Sequence, residues 1–332
     1  MELTTLLVAS VVFLIVYLLF RRPPPGLPPF PSRPLPIVGH LFHLGHDPRP
    51  QFKKWSKQCG EIYSLYLGGA QVVVINGYDL IKEALVKKAD VCSDRPPFFI
   101  DEAIGLSEKG VIFSNGTNWK EQRSVSLSIL RAFGMGKNLL AEKIEDEVGC
   151  YVKYLESLKG NPTNIRVMTN ISTSNVICSI LIGHRFEHDD KDFQDLMHKL
   201  GSLVSDQQNV SLINFIFWLK YIPGDFFKAK TLAANMKAVM DLLMKFIDEK
   251  KRHVEDSNDV CNLIDAYIVE RNKKLQSGIS TYLDDKNLLK LMMDLFGAGT
   301  ETTSTTICWC ILYVLNNPDV QEKVYQEIKD KV

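Results

Sequence analysis

One uninterrupted helical pattern, from about Asp284 to Asn316, constrains the fold of this chain more than any other feature. Apolar or small side chains recur along it at the spacing of one helix face, at Leu288, Leu291, Met292, Leu295, Phe296, Gly299 and Thr303. Asp284 or Asp285 can cap its first turn, and Pro318 ends it because the residue before a proline disfavours the α conformation. Such a helix is too long for the periphery of an ordinary domain, so we expect it to run through the centre of the fold.

Most of the remaining globular sequence also has helical periodicity. The helical segments predicted from it are Asp79–Lys87, Asn118–Phe133, Leu139–Leu158, Met168–Ile182, Asp192–Ser205 and Leu232–Val254. The clear sheet signal is a hairpin, in which Ile62–Leu67 and Gln71–Ile75 flank a glycine pair. The sequence therefore predicts a mainly α fold with a small β region.

Composition limits the classes of protein to which the chain can belong. Its 332 residues are 45% hydrophobic and 23% charged, so the chain is compositionally globular and long enough for a sizeable core. The 39 Lys and Arg balance 39 Asp and Glu, and the chain therefore lacks the basic excess typical of nucleic-acid binding. We expect no nucleic-acid partner. The seven cysteines are odd in number and scattered, as expected of reduced thiols that face the cytosol.

The N-terminal residues predict a membrane anchor. Leu3–Phe20 contains no charge and has the length that crosses a bilayer core, and Arg21 and Arg22 follow it. A positive flank on this side keeps the following chain in the cytosol. A buried core helix is the alternative interpretation of the apolar run. The predicted division of the chain is a transmembrane anchor at 1–22, a proline-rich spacer at 23–50 and a globular domain at 51–332.

The middle of the long helical run carries the first candidate functional residues, Ala298-Gly299-Thr300-Glu301-Thr302. Threonine side chains can bond backward to the helix and bend it, which opens a local groove. Gly299 lets a flat ligand approach the backbone, and Glu301 with Thr302 offers a carboxylate and a hydroxyl suited to proton transfer. The alternative is a glycine kink with solvent-facing threonines.

Trp119 and Arg123 form a second candidate group because residues four apart share one helix face. The indole N–H and the planar guanidinium together can bind a carboxylate, and the alternative is a cation–π pair on the helix surface. A third group, His40, His43 and His46, follows a proline-rich turn and lacks a fourth ligand. We therefore interpret the histidines as part of a solvated loop and predict no metal-ligating side chains.

Several motifs stand in the order found in one protein family. They are PPPGLPPFPSRPLPIVGH after the apolar run, then WKEQR, LRAFGMGK, NVICSILIGHRF, FIDEKKRH and DLFGAGTETTSTT. With them the whole chain resembles the N-terminal part of a microsomal cytochrome P-450 of family 2. The resemblance implies the haem-thiolate fold, mainly α with a small β region, behind an anchor in the endoplasmic reticulum membrane. It also implies oxidation of small lipophilic compounds, xenobiotics or fatty acids, by dioxygen with electrons from NADPH–cytochrome reductase.

The resemblance implies roles for the candidate residues on the long helix. Ala298 and Gly299 match the residues that lie over the haem, which is the expected cofactor. Glu301 and Thr302 match the acid–alcohol pair that delivers protons during oxygen activation. Glu301 and Thr302 are therefore the expected catalytic residues, and Ala298 and Gly299 are expected to bind the cofactor.

The resemblance also implies roles for residues outside the long helix. Trp119 and Arg123 match the pair that bonds the haem propionates. The segment Phe98–Ser114 matches the loop that caps the substrate, and Asn209–Phe227 matches a mobile lid that dips toward the membrane. Ser124 departs from the family pattern, because close relatives carry a second arginine there, which puts one basic contact with the reductase in doubt.

A larger departure concerns the axial ligand. Family members continue with an E-x-x-R helix and an F-x-x-G-x-R-x-C-x-G loop whose cysteine binds the iron, and none of the seven cysteines here has that context. The apolar repeat Val320, Val324, Ile328 and Val332 also runs to the last residue. We therefore expect the chain to be the truncated N-terminal portion of a monooxygenase. For the chain as it stands, we prefer the alternative of a catalytically inactive, membrane-anchored fragment that acts only through interactions.

Overall fold

The computed structural model describes most of the chain. The described residues are 24–45, 47–134, 138–205, 212–257 and 260–331, with Thr5, Ser10, Val12, Phe13 and Val16. The predicted anchor at 1–22 therefore lies largely outside them and stays a prediction. Within the described part, no helix combines the length and the apolar character that crossing a membrane requires.

Helices dominate the described chain, which confirms the predicted fold class. The helices are α1 Leu41–Leu44, α2 Arg49–Cys59, α3 Tyr78–Lys82, α4 Ala89–Cys92, α5 Phe99–Ala103, α6 Gly116–Ala132, α7 Asn138–Ser157, α8 Ile165–Leu181, α9 Lys191–Ser205, α10 Ala229–Ser257, α11 Leu263–Gln276, α12 Asp285–Asn316 and α13 Pro318–Lys331. A π-helical turn, Glu83–Lys87, follows α3, and a 3₁₀ helix spans Phe217–Tyr221. The strands are β1 Ile62–Leu67 and β2 Ala70–Ile75, which lie between α2 and α3.

The described chain forms two compact units, and the first contains residues up to 94 together with 208–227. Its centre is the antiparallel pair of β1 and β2, in which Ile62 pairs with Ile75, and this pairing confirms the predicted hairpin. Side chains from β1 pack with α2 because alternate strand residues share a face. The buried core residues of this unit are Trp55, Tyr63, Leu65 and Leu67.

His40 belongs to this core, so the interpretation of His40 as part of a solvated loop is wrong. Its ring is fully buried, whereas His43 is exposed and His46 lies outside the described residues. The backbone N–H of Tyr66 donates to His40 Nδ1 over 3.0 Å, and His40 Nε2 lies 3.1 Å from the carbonyl oxygen of Ser32. A ring that accepts at Nδ1 and donates at Nε2 satisfies both bonds, which offsets the cost of its burial.

The second unit contains residues 95–207 and 228–332 and is built around α12. The side chains from Asn287 to Asp294 are all buried, so the first half of this helix occupies the predicted central position. The helix α8 packs along its middle, and α9 and α10 also contact it. The carboxylate of Asp284 caps the helix, as predicted, because it accepts the N–H of Asn287 over 2.6 Å.

The sequence does not predict α2 and α11, and each has a physical reason. The helix α2 is mostly polar and buries only Trp55. The helix α11 buries side chains only in its first half, from Leu263 to Ile268, so its apolar period is too short to be distinctive. The predicted helix Asp79–Lys87 is α-helical as far as Lys82 and continues as the π-helical turn. The other predicted helices are present, with ends that differ by about one turn or less.

Candidate functional site

Ala298 and Thr302 lie one turn apart on an open side of α12. Both residues are exposed. The Thr302 hydroxyl donates to the Ala298 carbonyl oxygen over 2.6 Å, and the Thr306 hydroxyl makes the equivalent bond to Thr302 over 2.8 Å. These backward bonds satisfy the hydroxyl groups within the helix. The result is an accessible face with small side chains, which a flat ligand can approach.

Gly299 faces a different neighbour, namely α8. A Cβ atom at Gly299 would lie 2.6 Å from Cδ1 of Ile177, so the Ile177 side chain would have to shift to admit any larger residue. The glycine therefore lets α12 approach α8, which is a packing role that the sequence alone does not indicate. It also lines a groove of about 360 Å³ between α7, α8 and α12, with Thr303 and Ile307.

Glu301 is held on the side of α12 that faces a polar cavity. Its Oε1 accepts a bond from Nη2 of Arg166 over 3.1 Å and one from the Thr305 hydroxyl over 3.3 Å. Glu301 and Thr302 are adjacent in sequence, but each side chain has other hydrogen-bond partners in this structure. The cavity, of about 920 Å³, lies between α8, α9, α10 and α12. Its polar lining also includes Asn170, Lys191, Gln194, Asp195 and His198.

Trp119 and Arg123 form the expected pair on α6. The Arg123 Cζ atom lies 5.8 Å from the centre of the Trp119 ring, in cation–π geometry. The side chain of Arg123 is exposed, and no carboxylate of the described residues forms an ion pair with it. The structure thus contains the surface pair of the alternative interpretation, and it leaves the guanidinium available to an anionic group.

Neighbouring side chains of α6 bond to the rest of the second unit, while Arg123 is exposed and Trp119 is half-buried. Gln122 is buried, accepts a bond from the Tyr267 hydroxyl over 2.9 Å, and donates to the Tyr282 carbonyl oxygen over 3.0 Å. Glu121 receives a bond from Lys274 over 2.8 Å. Burial opposes ionisation of Glu121, but this bond and others from its neighbours outweigh that effect and lower its pKa. These bonds set the rotation of α6 about its axis.

Among the main helix contacts of the described residues, none links Trp119 and Arg123 on α6 to Ala298 and Thr302 on α12. A haem needs cations for its propionates, a flat approach to one face and an axial ligand. Arg123 with Trp119 fits the first need, and the small residues Ala298 and Thr302 fit the second. The described residues therefore suit the propionates and one face of a haem.

Four of the cysteines, Cys59, Cys178, Cys308 and Cys310, are poorly suited to serve as the axial ligand. Burial raises the pKa of Cys178 and of Cys59, which disfavours the thiolate that binds iron. Cys308 is the nearer of the two cysteines on α12, and it lies about 9 Å beyond Thr302 along the helix axis. Nor do the described residues contain a group of three or more His, Cys, Asp or Glu that could hold a metal ion. We therefore assign no iron ligand among the residues that the structure describes.

The two segments expected around the substrate belong to different units. Phe98–Ser114 lies in the second unit and contains α5. The segment Asn209–Phe227 starts outside the described residues, and from residue 212 onward it belongs to the first unit. Its 3₁₀ helix exposes Phe217 and Trp218.

Sequence reasoning does not find the residues that hold this site in place. Arg166 is 135 positions from Glu301, so no local pattern links them. Two buried charges, Lys290 and Asp294, lie four apart within the most apolar part of α12. A charged pair interrupting an apolar helix face is a signal that could have identified them.

Comparison with known proteins assigns the family. The family model Cytochrome P450 matches residues 28–332. Cytochrome P450 2J2 of Homo sapiens is 37% identical over 331 residues, which cover 98% of this chain and 64% of the relative. Cytochrome P450 2H2 of Gallus gallus is 35% identical over 307 residues, 91% of this chain and 60% of the relative. Cytochrome P450 2C1 of Oryctolagus cuniculus is 36% identical over 310 residues, 91% of this chain and 61% of the relative.

The mainly helical fold and the family match thus define a chain of the cytochrome P450 family, whose cofactor is haem. These relatives all belong to family 2, which confirms the resemblance found in the sequence motifs. The chain spans about three fifths of the length of the curated relatives it matches.

Proposed function

We propose that the protein is a monooxygenase that oxidises small lipophilic compounds, such as xenobiotics or fatty acids, by hydroxylation or epoxidation. It takes electrons from NADPH–cytochrome reductase and acts at the endoplasmic reticulum membrane, with its catalytic domain in the cytosol. The observation that carries the proposal is the open face of α12 in a chain of this family, where Ala298 and Thr302 are accessible and the next side chain, Glu301, lines the polar cavity.

Trp119 and Arg123 bind the haem propionates in this proposal. A charge-assisted bond from guanidinium to carboxylate is stronger than an exposed cation–π contact. Arg123 can therefore leave the ring of Trp119 for a propionate. Ala298 contributes no bulk on the side of α12 that the haem faces. The bound haem supplies the chemistry of dioxygen activation, for which this chain provides protons and shape.

Thr302 and Glu301 move protons in this proposal. The Thr302 hydroxyl, which bonds to a carbonyl oxygen of its own helix, can rotate and donate to a group on the open face. Glu301 takes up protons from the polar cavity, where Arg166 holds its carboxylate in one orientation. The role of Glu301 is therefore to pass protons from solvent toward Thr302.

A fusion protein tests the proposal. The chain is joined to the C-terminal part of Cytochrome P450 2J2, the part that it does not match, and is assayed with reductase and NADPH on a panel of lipophilic compounds. We expect NADPH-dependent products that carry one added oxygen atom. A fusion protein that binds haem and accepts electrons, but forms no product from any compound of the panel, would contradict the proposal. No observation favours the alternative of an inactive interaction protein.

A further inference from the structure

Lys290 is a charged side chain in the core of the second unit, and it has no role in the proton transfer or haem binding proposed above. Its side chain is 8% exposed, and its Nζ lies 3.0 Å from Oδ1 of Asp101 and 2.8 Å from Oδ1 of Asp294. Burial opposes the charge of Lys290, but the two carboxylates outweigh this effect and raise its pKa. The ammonium group thus links α12 to α5, which lies about 190 positions earlier in the chain.

Asp294 holds a second part of the same segment. Its Oδ2 accepts the backbone N–H groups of Val111 over 2.8 Å and of Ile112 over 3.1 Å. Gly110 has a φ of +74°, and a Cβ atom there would lie 2.4 Å from the same oxygen, so the turn requires glycine. The N–H of Gly110 also donates to Oδ1 of Asn287 over 3.1 Å.

The segment Phe98–Ser114 is also stabilised by contacts between its own residues. The rings of Phe98 and Phe113, near its two ends, stack with centres 4.6 Å apart. The Ser114 hydroxyl donates to the Gly110 carbonyl oxygen over 2.5 Å. Lys109 adds an ion pair to Asp284, at the start of α12, over 2.9 Å. The segment is therefore attached to the first half of α12 at several successive turns.

We propose that Lys290 is a positioning residue that clamps Phe98–Ser114 to α12, so that this segment is a fixed wall of the substrate site and not a lid. The clamp follows from the contacts of the described residues, whereas its link to substrate rests on the proposed function. Opening the segment would break the ion pair between Lys290 and Asp101 and the backbone bonds to Asp294, and it would leave charges in the core without their partners, which is costly. Substrates therefore reach the site without displacing this segment, and Lys290 fixes the shape that selects the oxidised position.

Asp101→Asn is the sharpest test because it removes one charge and leaves the pair of Lys290 with Asp294 in place. Amide hydrogen exchange is measured on the full 332-residue chain. We expect exchange in residues 99–112 to accelerate at least about tenfold, with α10 unchanged. Lys290→Met should give a larger effect in the same residues, and Lys290→Arg should restore protection. Lys286→Met, an exposed lysine one turn earlier on α12, is the matched control and should behave as the unmodified chain.

Two results would overturn the clamp. Unchanged exchange in residues 99–112 of Asp101→Asn would show that the ion pair does not hold the segment. Faster exchange spread over the whole second unit would show a general core contact instead. If Lys290→Met does not fold, Asp101→Asn still decides the question, because it retains the cation and one of its partners.

The fusion protein separates the clamp from the proposed function. On a substrate with two oxidisable positions, Asp101→Asn should change the product ratio at least about threefold while haem content stays constant. An unchanged ratio together with local loss of protection would overturn the role in selectivity. If the fusion protein oxidises nothing and the exchange results hold, the clamp stands and the proposed function fails.

Discussion

Side chains at the candidate site differ in how strongly the surrounding structure holds them. Glu301 is tied to Arg166 across two helices, whereas Thr302 bonds to its own helix and Arg123 rests on the ring of Trp119. An exposed cation–π contact is worth about 0.5–1 kcal/mol, and a hydrogen bond to a charged group about 1.5–3 kcal/mol. In the proposed function, the bond from Arg123 to a propionate would therefore outweigh its cation–π contact, and the hydroxyl of Thr302 could turn from its own helix to an incoming group.

Thr302→Ala should uncouple NADPH consumption from product formation in the fusion protein. The substitution removes the hydroxyl that, in the proposed function, donates protons on the open face, and it leaves the proposed haem contacts of Trp119 and Arg123 intact. We expect several-fold more hydrogen peroxide per product at unchanged haem content, measured from NADPH, peroxide and product in the same reaction. Thr306→Ala is the matched control, since Thr306 is also exposed and makes the same backward bond. Equal coupling in both variants would return Thr302 to a purely structural role.

Arg123→Ala should weaken haem retention in the fusion protein. The variant loses the bond to the propionate in the haem-bound state and the cation–π contact in the haem-free state. The difference between these two losses lowers the affinity for haem by about 1–2 kcal/mol, or about tenfold. Haem per protein after gel filtration and the rate of haem transfer to a competing apoprotein measure this loss. Arg131→Ala, an exposed arginine on the same helix, serves as the control. Retention equal to that of the control would mean that Arg123 and Trp119 form only a surface contact.

At the scale of elements, the sequence predicts what local periodicity and capping determine. It predicts the ends of α12, because Asp284 caps its start and Pro318 follows its end, and it predicts the hairpin of β1 and β2. It does not predict the partners that these elements meet in space. The burial of His40 depends on Tyr66, and the need for glycine at Gly299 depends on α8. Such contacts join residues far apart in the chain, which periodicity does not report.

Two glycines on α12 should respond in opposite directions to alanine. Gly297→Ala adds a methyl group to open space, so the better helix propensity of alanine should stabilise the chain by about 0.5–1 kcal/mol. Gly299→Ala gains the same propensity but forces a methyl group against Ile177, which costs about 1–3 kcal/mol. We expect a net loss of about 1 kcal/mol, measured by chemical unfolding. The loss should shrink in an Ile177→Val background, which removes Cδ1, and an unchanged loss would contradict the packing role of Gly299.

At the scale of the whole molecule, large exposed apolar side chains are concentrated in particular regions. One set lies on the last turns of α12 and on α13: Trp309, Leu312, Tyr313, Leu315, Val324, Tyr325 and Ile328. Another lies at and after the 3₁₀ helix of the first unit: Phe217, Trp218, Tyr221 and Phe226. The second set is aromatic and includes a lysine, Lys220, whose Nζ lies 3.2 Å from the centre of the Phe217 ring. Aromatic rings beside lysine are typical of the membrane–water interface.

Deleting residues 1–22 should therefore reduce membrane association without abolishing it. The full chain should stay in the membrane through carbonate extraction, as expected of a spanning anchor. The deleted chain should bind vesicles weakly and be released by carbonate, because side chains at the interface give only modest, reversible affinity.

The interface role of the aromatic set needs its own control, because any exposed apolar side chain adds some affinity for lipid. Phe217→Ser with Trp218→Ser in the deleted chain should lower vesicle binding at least about tenfold, since two aromatic side chains lose their buried area. Leu85→Ser with Val91→Ser, two aliphatic residues of the same unit that are 62% and 81% exposed, should change it little. Equal losses from both pairs would mean that general apolar exposure binds the vesicles. A full chain released intact by carbonate would contradict the anchor itself.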